Sequence, residues 1–82
     1  MTVERYHVVV AFDRNEEGNL VGGRGVLEKS KMAALSTARD LARTHLGVVA
    51  VSCLADREAG VFGEGQATIF GVVPAKYRPR GR

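Results

Sequence analysis

Residues 23–30 are the stretch whose residue types come closest to a known chemical motif. Their Gly first and Lys-Ser last, ahead of a predicted helix, have the spacing of a phosphate-binding P-loop. Glu28 stands where that motif has its second glycine, and its carboxylate would repel the phosphates that the loop should hold. The residues therefore predict a glycine-rich edge strand that leads into a helix, with attraction of an anion to the helix start as the alternative.

A second stretch has part of the ligand pattern of a calcium loop. Asp13, Asn15 and Glu17 match its first, third and fifth positions. Arg24 occupies the twelfth position, where a bidentate Glu should close the site, and a positive charge there removes that ligand. We therefore interpret these residues as a polar hairpin loop. The single cysteine, Cys53, provides no metal-ligand spacing either, so the sequence predicts no metal and no cofactor.

Catalytic residues are hard to find in this sequence. His7 and His45 have no Asp, Cys or Ser at a spacing that predicts contact, and Cys53 lies in a predicted strand as a buried small side chain would. Three carboxylates share the loop predicted at residues 55–66, where a pair for acid–base work is conceivable. We interpret them as solvated charges. The sequence favours a non-catalytic protein, and an enzyme or small-ligand site in that loop is the third hypothesis.

The C-terminal residues are the most distinctive polar feature. Four of the twelve Lys and Arg residues lie in the last seven positions, which leaves residues 1–75 close to neutral. Alternating cations with one aromatic ring suit phosphate contacts and base stacking, so weak, non-specific binding of nucleic acid or another anionic partner is one hypothesis. A solubilising tail is the other. The candidate binding residues are Lys76, Tyr77, Arg78, Arg80 and Arg82.

One helix is predicted at residues 30–46, where apolar residues recur on one side and polar residues on the other. Ser30 is the expected N-cap because its hydroxyl can accept a hydrogen bond from a first-turn amide. Gly47 is expected to end the helix in a left-handed conformation. The chain around this helix is divided into shorter apolar runs.

Those runs predict four strands, at residues 6–12, 20–27, 48–54 and 67–73. Their order along the chain is β-β-α-β-β, which predicts an α+β fold with a four-stranded antiparallel sheet in the order 2-1-3-4 and the helix on one face. A right-handed crossover is expected. Residues 1–75 form a single domain in this interpretation, and residues 76–82 are a basic, disordered C-terminal tail.

Both faces of the two central strands are apolar in the sequence, although one helix covers only one face of a sheet. A second copy packed on the open face would bury the remaining apolar residues, which predicts a homodimer. The alternative is that small side chains such as Ala11 and Ala50 are partly exposed at little cost. A module that acts through self-association or a protein partner is therefore the leading functional hypothesis.

Length and composition set the remaining expectations. Eighty-two residues allow one domain with a small core. No apolar run approaches the length of a membrane span, so no membrane partner is expected. A single cysteine excludes an internal disulfide framework, and together with the absence of a signal-peptide pattern it predicts a cytoplasmic location.

Residues 38–52, followed by the Gly-Val-Phe-Gly sequence at 60–63, resemble a motif of small bacterial proteins of unknown function. The resemblance covers residues 38–63 and consists of a helix end, a buried strand and a glycine-containing loop. It implies the same order of elements and adds no chemistry. The basic C-terminal residues are a departure from that group.

Overall fold

The computed structural model describes residues 3–56, 61–62 and 65–77, and it confirms the α+β class. One helix packs on an antiparallel sheet. No helix in this part of the chain is long and apolar enough to cross a lipid bilayer. The elements, in chain order, are β1 (Val3–Arg14), β2 (Leu20–Gly22), β3 (Val26–Glu28), α1 (Lys31–Ala42), β4 (Gly47–Asp56), β5 (Val61–Phe62), β6 (Gln66–Gly71) and a turn of 3-10 helix (Ala75–Tyr77).

The two longest strands, β1 and β4, lie side by side at the centre of the sheet. They pair antiparallel from Val3 opposite Asp56 to Phe12 opposite Gly47. β2 and β3 pair with the outer side of β1, while β5 and β6 pair with the outer side of β4. The sheet therefore differs in strand count and order from the prediction, because each outer position holds two short strands where one was expected.

Glycine explains the division on the β1 side. The predicted strand at 20–27 is interrupted at residues 23–25, which are Gly-Arg-Gly and leave the regular ladder. The Gly23 amide still donates to the Ala11 carbonyl at 2.9 Å, so the chain stays against β1 through the break. On the other side, the loop predicted at 55–66 is partly wrong, because β5 pairs there with the end of β4.

The start of α1 is as predicted and its end is not. The Ser30 hydroxyl accepts a hydrogen bond from the Ala33 amide at 3.0 Å, which confirms the N-cap. The helix ends at Ala42, four residues before the predicted end. Gly47 does not terminate it, because it is the first residue of β4. The Asp13 carboxylate accepts the Leu46 amide at 3.0 Å and so directs the chain out of the helix towards the sheet.

The main core lies between α1 and the central strands. Val9, Val48 and Ala50 meet two alanines of the helix, Ala34 and Ala38, and all five are buried. Small side chains on the helix permit a close approach to the β-branched residues of the sheet. The apolar side predicted for the helix is therefore confirmed at its centre. Of the residues predicted at the edges of that side, Ala34 is buried, Leu41 is half-buried and Met32 is exposed.

The other face of the sheet is covered at one end by the chain itself. Gly71 has a φ of 73°, which ends β6 two residues before the predicted boundary and turns the chain over the sheet. Val73 is then buried beside Phe12 and Val49. Tyr77 follows, and its ring lies 5.6 Å from the Phe12 ring at 53°. We call residues 72–77 the C-terminal segment.

Two neighbouring backbones approach closely where this segment begins. The Val72 amide donates to the Leu46 carbonyl at 3.1 Å, next to the start of β4. A Cβ atom at Gly47 would lie 1.8 Å from the Val72 carbonyl oxygen and 2.5 Å from its carbon. Glycine is required at position 47 by this contact, because no side-chain rearrangement relieves a clash with backbone.

Candidate functional site

The predicted binding residues at the C-terminus are described in part. Lys76 and Tyr77 lie in the 3-10 turn, and the Lys76 ammonium is 5.1 Å from the centre of the Tyr77 ring. The same Tyr77 ring also contacts the Phe12 ring, which is tilted by 53° relative to it. Arg78, Arg80 and Arg82 lie outside the described residues, so nucleic-acid binding through these residues stays a prediction.

Half of the sheet face opposite α1 has no helix or segment over it in the described part of the chain. Along β1 and β4, residues that face away from the helix alternate with residues that pack against it. Val8 faces away from the helix, and its register partners Leu27 on β3 and Val51 on β4 lie on the same face. Leu27 is 67% exposed. None of the side chains here is charged, and Glu4 lies at the margin. We define the open sheet face as Tyr6, Val8, Leu27, Val51 and Cys53.

A cavity of about 290 Å³ opens on the helix side of the sheet, beside the first residue of α1. We call it the β1–β4 cavity. Two of its lining side chains are cationic and none is acidic. Its lining residues are Arg5, His7, Lys31, Ser52, Cys53, Leu54 and Gln66.

A histidine–serine pair forms the floor of the β1–β4 cavity. His7 Nδ1 lies 2.8 Å from Ser52 Oγ, and the antiparallel register places the two residues directly opposite each other. His7 is 6% exposed. Its Nε2 has no hydrogen-bond partner among the described residues. That nitrogen is not fully buried, because no fully buried side-chain polar atom of the described residues lacks a partner. The second ring nitrogen is therefore available to a molecule in the cavity.

The second histidine belongs to a separate pair. His45 Nδ1 lies 2.6 Å from Asp13 Oδ2, and Asp13 Oδ1 accepts the Leu46 amide. The prediction that neither histidine has a suitable partner is therefore wrong for both. The hydrogen bonds from His45 and from the Leu46 amide hold the pKa of Asp13 below its ordinary value. This pair fastens the end of β1 to the turn after α1.

The lowered pKa of Asp13 predicts a pH dependence of stability. A carboxyl whose pKa is lower in the folded chain stabilises it above its unfolded pKa of about 3.9, and that contribution is lost as the pH falls through the lower folded value. We therefore expect Asp13→Asn to lower the Tm near pH 5, with the gap to the unsubstituted chain closing as the pH falls below about 3.9. Thermal unfolding followed by circular dichroism measures the gap.

Asp40→Asn is the matched control for this prediction. Asp40 is exposed on α1, and its carboxylate makes no hydrogen bond with any residue that the structure describes. The same change of charge there should leave the pH dependence of the unsubstituted chain intact. A Tm gap for Asp13→Asn that is constant across this range would contradict the role given to the carboxylate.

The other motif-like residues have structural uses. Asn15 Oδ1 accepts the amides of Glu17 and Asn19, as expected for a polar hairpin loop. Glu28 ends an edge strand and accepts the Thr37 hydroxyl of α1. No group of three or more His, Cys, Asp or Glu residues that could hold a metal ion occurs among the residues that the structure describes.

The acidic residues predicted at 55–66 cannot be placed in a site, because the side chains of residues 55–64 fall outside the described part. The resemblance of residues 38–63 to small bacterial proteins stays a prediction. Function must therefore be inferred from the chain's own residues: no protein-family model, no curated protein and no solved structure matches it.

Proposed function

We propose that this chain is a small interaction module that associates with a second copy of itself through the open sheet face. The observation that supports it is an uncharged, apolar half-sheet on which Leu27 is two-thirds exposed. Contiguous apolar surface of this kind is typical of association sites in soluble proteins. No catalytic role is needed to explain it.

The shape of this side of the protein favours a second copy as the occupant. One half is raised, because the C-terminal segment lies over Phe12 and Val49, and the other half is the bare open sheet face. A two-fold axis perpendicular to the strands reverses their direction, so the raised half of each copy meets the open half of the other. The two segments then fill one layer between two sheets.

Charge agrees with this arrangement. Glu4 lies at the margin of the open half, on the same face as Tyr6, and the Tyr6 hydroxyl donates to it. Lys76 lies on the raised half. In the two-fold dimer, Glu4 of each copy therefore lies near Lys76 of the other at the rim of the interface. No like charges meet at its centre. Rim charges of this kind direct the register more than they add affinity.

Leu27→Asp tests the proposal. Fully burying a leucine contributes about 1.5–3 kcal/mol, and a two-fold interface contains Leu27 twice. The two leucines together contribute about 3–6 kcal/mol, so we expect at least about a hundredfold weaker association of the variant. For the unsubstituted chain we expect a Kd in the micromolar range, which corresponds to about 8 kcal/mol. Sedimentation velocity over a series of concentrations measures both. Folding should be unaffected because Leu27 is exposed in the single copy.

Met32→Asp is the control. Met32 is 80% exposed on α1, on the other side of the molecule from the open sheet face, so the same loss of apolar surface and gain of charge should leave the dimer unchanged. A monomer mass for the unsubstituted chain at about 500 µM, where a micromolar Kd gives almost complete dimer, would refute the proposal. Equal effects of the two substitutions would also refute it.

A further inference from the structure

The β1–β4 cavity contains two cations that have few partners among the residues that the structure describes. Arg5 makes no hydrogen bond or ion pair with the described residues, and Lys31 makes one contact, to Gln66 Oε1 at 3.4 Å. Both side chains line the same cavity, beside the positive end of the α1 dipole. The described lining carries two positive charges and no carboxylate to balance them.

We propose that the β1–β4 cavity binds a small phosphate-type oxyanion, held by Arg5 and Lys31 above the His7–Ser52 pair. The guanidinium of Arg5 offers a planar fork of donors and the ammonium of Lys31 a compact charge, a combination that suits an anion with several oxygens. A cavity of about 290 Å³ accommodates a phosphate with a small organic group attached.

The floor of the cavity supplies directed donors. When an anion approaches His7 Nε2, the ring form with a proton on that nitrogen is favoured, and Nδ1 then accepts the Ser52 hydroxyl. Serine holds the ring in this orientation, and the two strands hold both residues in register. The donor is therefore placed before the anion arrives, which lowers the entropic cost of binding.

The acidic residue opposite His7 does not compete for this site. Glu28 lies opposite His7 on β3, and its carboxylate accepts the Thr37 hydroxyl of α1. Glu28 is not among the residues that line the cavity. An oxyanion with three or four oxygens uses more of the available donors than a carboxylate with two, which is why phosphate chemistry is favoured over a simple carboxylic acid.

The test is a titration of the ¹⁵N-labelled full chain with inorganic phosphate at constant ionic strength, followed by two-dimensional NMR. We expect saturable shifts of the amide signals of His7, Lys31 and Ser52, and weaker shifts with acetate. Arg5→Gln should raise the Kd for phosphate at least about tenfold, because a charge-assisted contact is lost. Arg39→Gln is the control: it makes the same charge change at an exposed position of α1 and should leave the Kd unchanged.

Ser52→Ala adds a variant that keeps both cations. It should weaken phosphate binding and shift the ring ¹⁵N signals of His7, because the ring loses the group that orients it. Shifts that do not saturate, or that are the same with sodium chloride, would overturn the proposal, as would equal losses in Arg5→Gln and Arg39→Gln. Acetate binding as tightly as phosphate would overturn the assignment to phosphate chemistry.

Discussion

Replacing Gly47 with alanine is expected to lower the free energy of unfolding by about 3 kcal/mol or more, the largest single effect that we predict for this chain. The new Cβ would lie 1.8 Å from the Val72 carbonyl oxygen. Relief requires β4 and the C-terminal segment to separate, which disturbs the Val72–Leu46 hydrogen bond. Urea unfolding followed by circular dichroism measures the loss, against about 4–12 kcal/mol for a domain of this length.

Gly23→Ala is the control for this prediction. A Cβ atom at Gly23 would meet the Ala11 carbonyl oxygen at 3.7 Å, an ordinary van der Waals distance. The same change of residue type should therefore alter the free energy of unfolding by less than about 1 kcal/mol. If both substitutions cost the same, the close approach at Gly47 does not limit stability.

Ala38→Leu is expected to cost about 3 kcal/mol, which corresponds to a fall in Tm of roughly 12–24 °C for a domain of this size. Ala38 is fully buried against Val9 and Val48, and the helix can approach the sheet so closely because this side chain is small. Three additional carbon atoms must push α1 away from the strands. Thermal unfolding measures the change in Tm.

Ser36→Leu is the matched control, because Ser36 is exposed on the same helix and its hydroxyl has no hydrogen-bond partner in the described part of the chain. A leucine there should change the free energy of unfolding by no more than about 0.5 kcal/mol. A wild-type Tm for Ala38→Leu would mean that the helix packs against the sheet less tightly than described.

The elements that repeat a pattern were predictable from the sequence. Ser30 marks the start of α1 because a serine just before a helical pattern of polar and apolar residues commonly serves as the N-cap. The central strands were predictable because both faces of β1 and β4 are apolar. The outer strands β2 and β3 were harder to predict. The glycines at 22, 23 and 25 obscure the alternation of polar and apolar residues on which a strand assignment depends.

The polar pairs were not predictable, for a physical reason. His7 and Ser52 are 45 positions apart, and His45 and Asp13 are 32 apart. The His7–Ser52 contact depends on strand register, because a shift of one residue would send each side chain to the other face of the sheet. The His45–Asp13 contact depends on where the turn after α1 meets the end of β1. Nothing in the local sequence of either histidine specifies these arrangements. The β1–β4 cavity could therefore be found only after β1 and β4 were aligned.

The pairing of β1 with β4 also matters while the chain is being made. β1 is made before β4, the strand that pairs with the edge of β1 at the centre of the sheet. β4 is complete only at Asp56, about 40 residues after Arg14. A ribosome that adds about 5–20 residues per second therefore leaves that edge unpaired for roughly 2–8 s. During this interval β1 is an apolar ribbon with open backbone groups, the kind of edge on which nascent chains aggregate. Glu4 and Arg5 near the start of β1, and Asp13 and Arg14 at its end, are charges of the kind that oppose such aggregation.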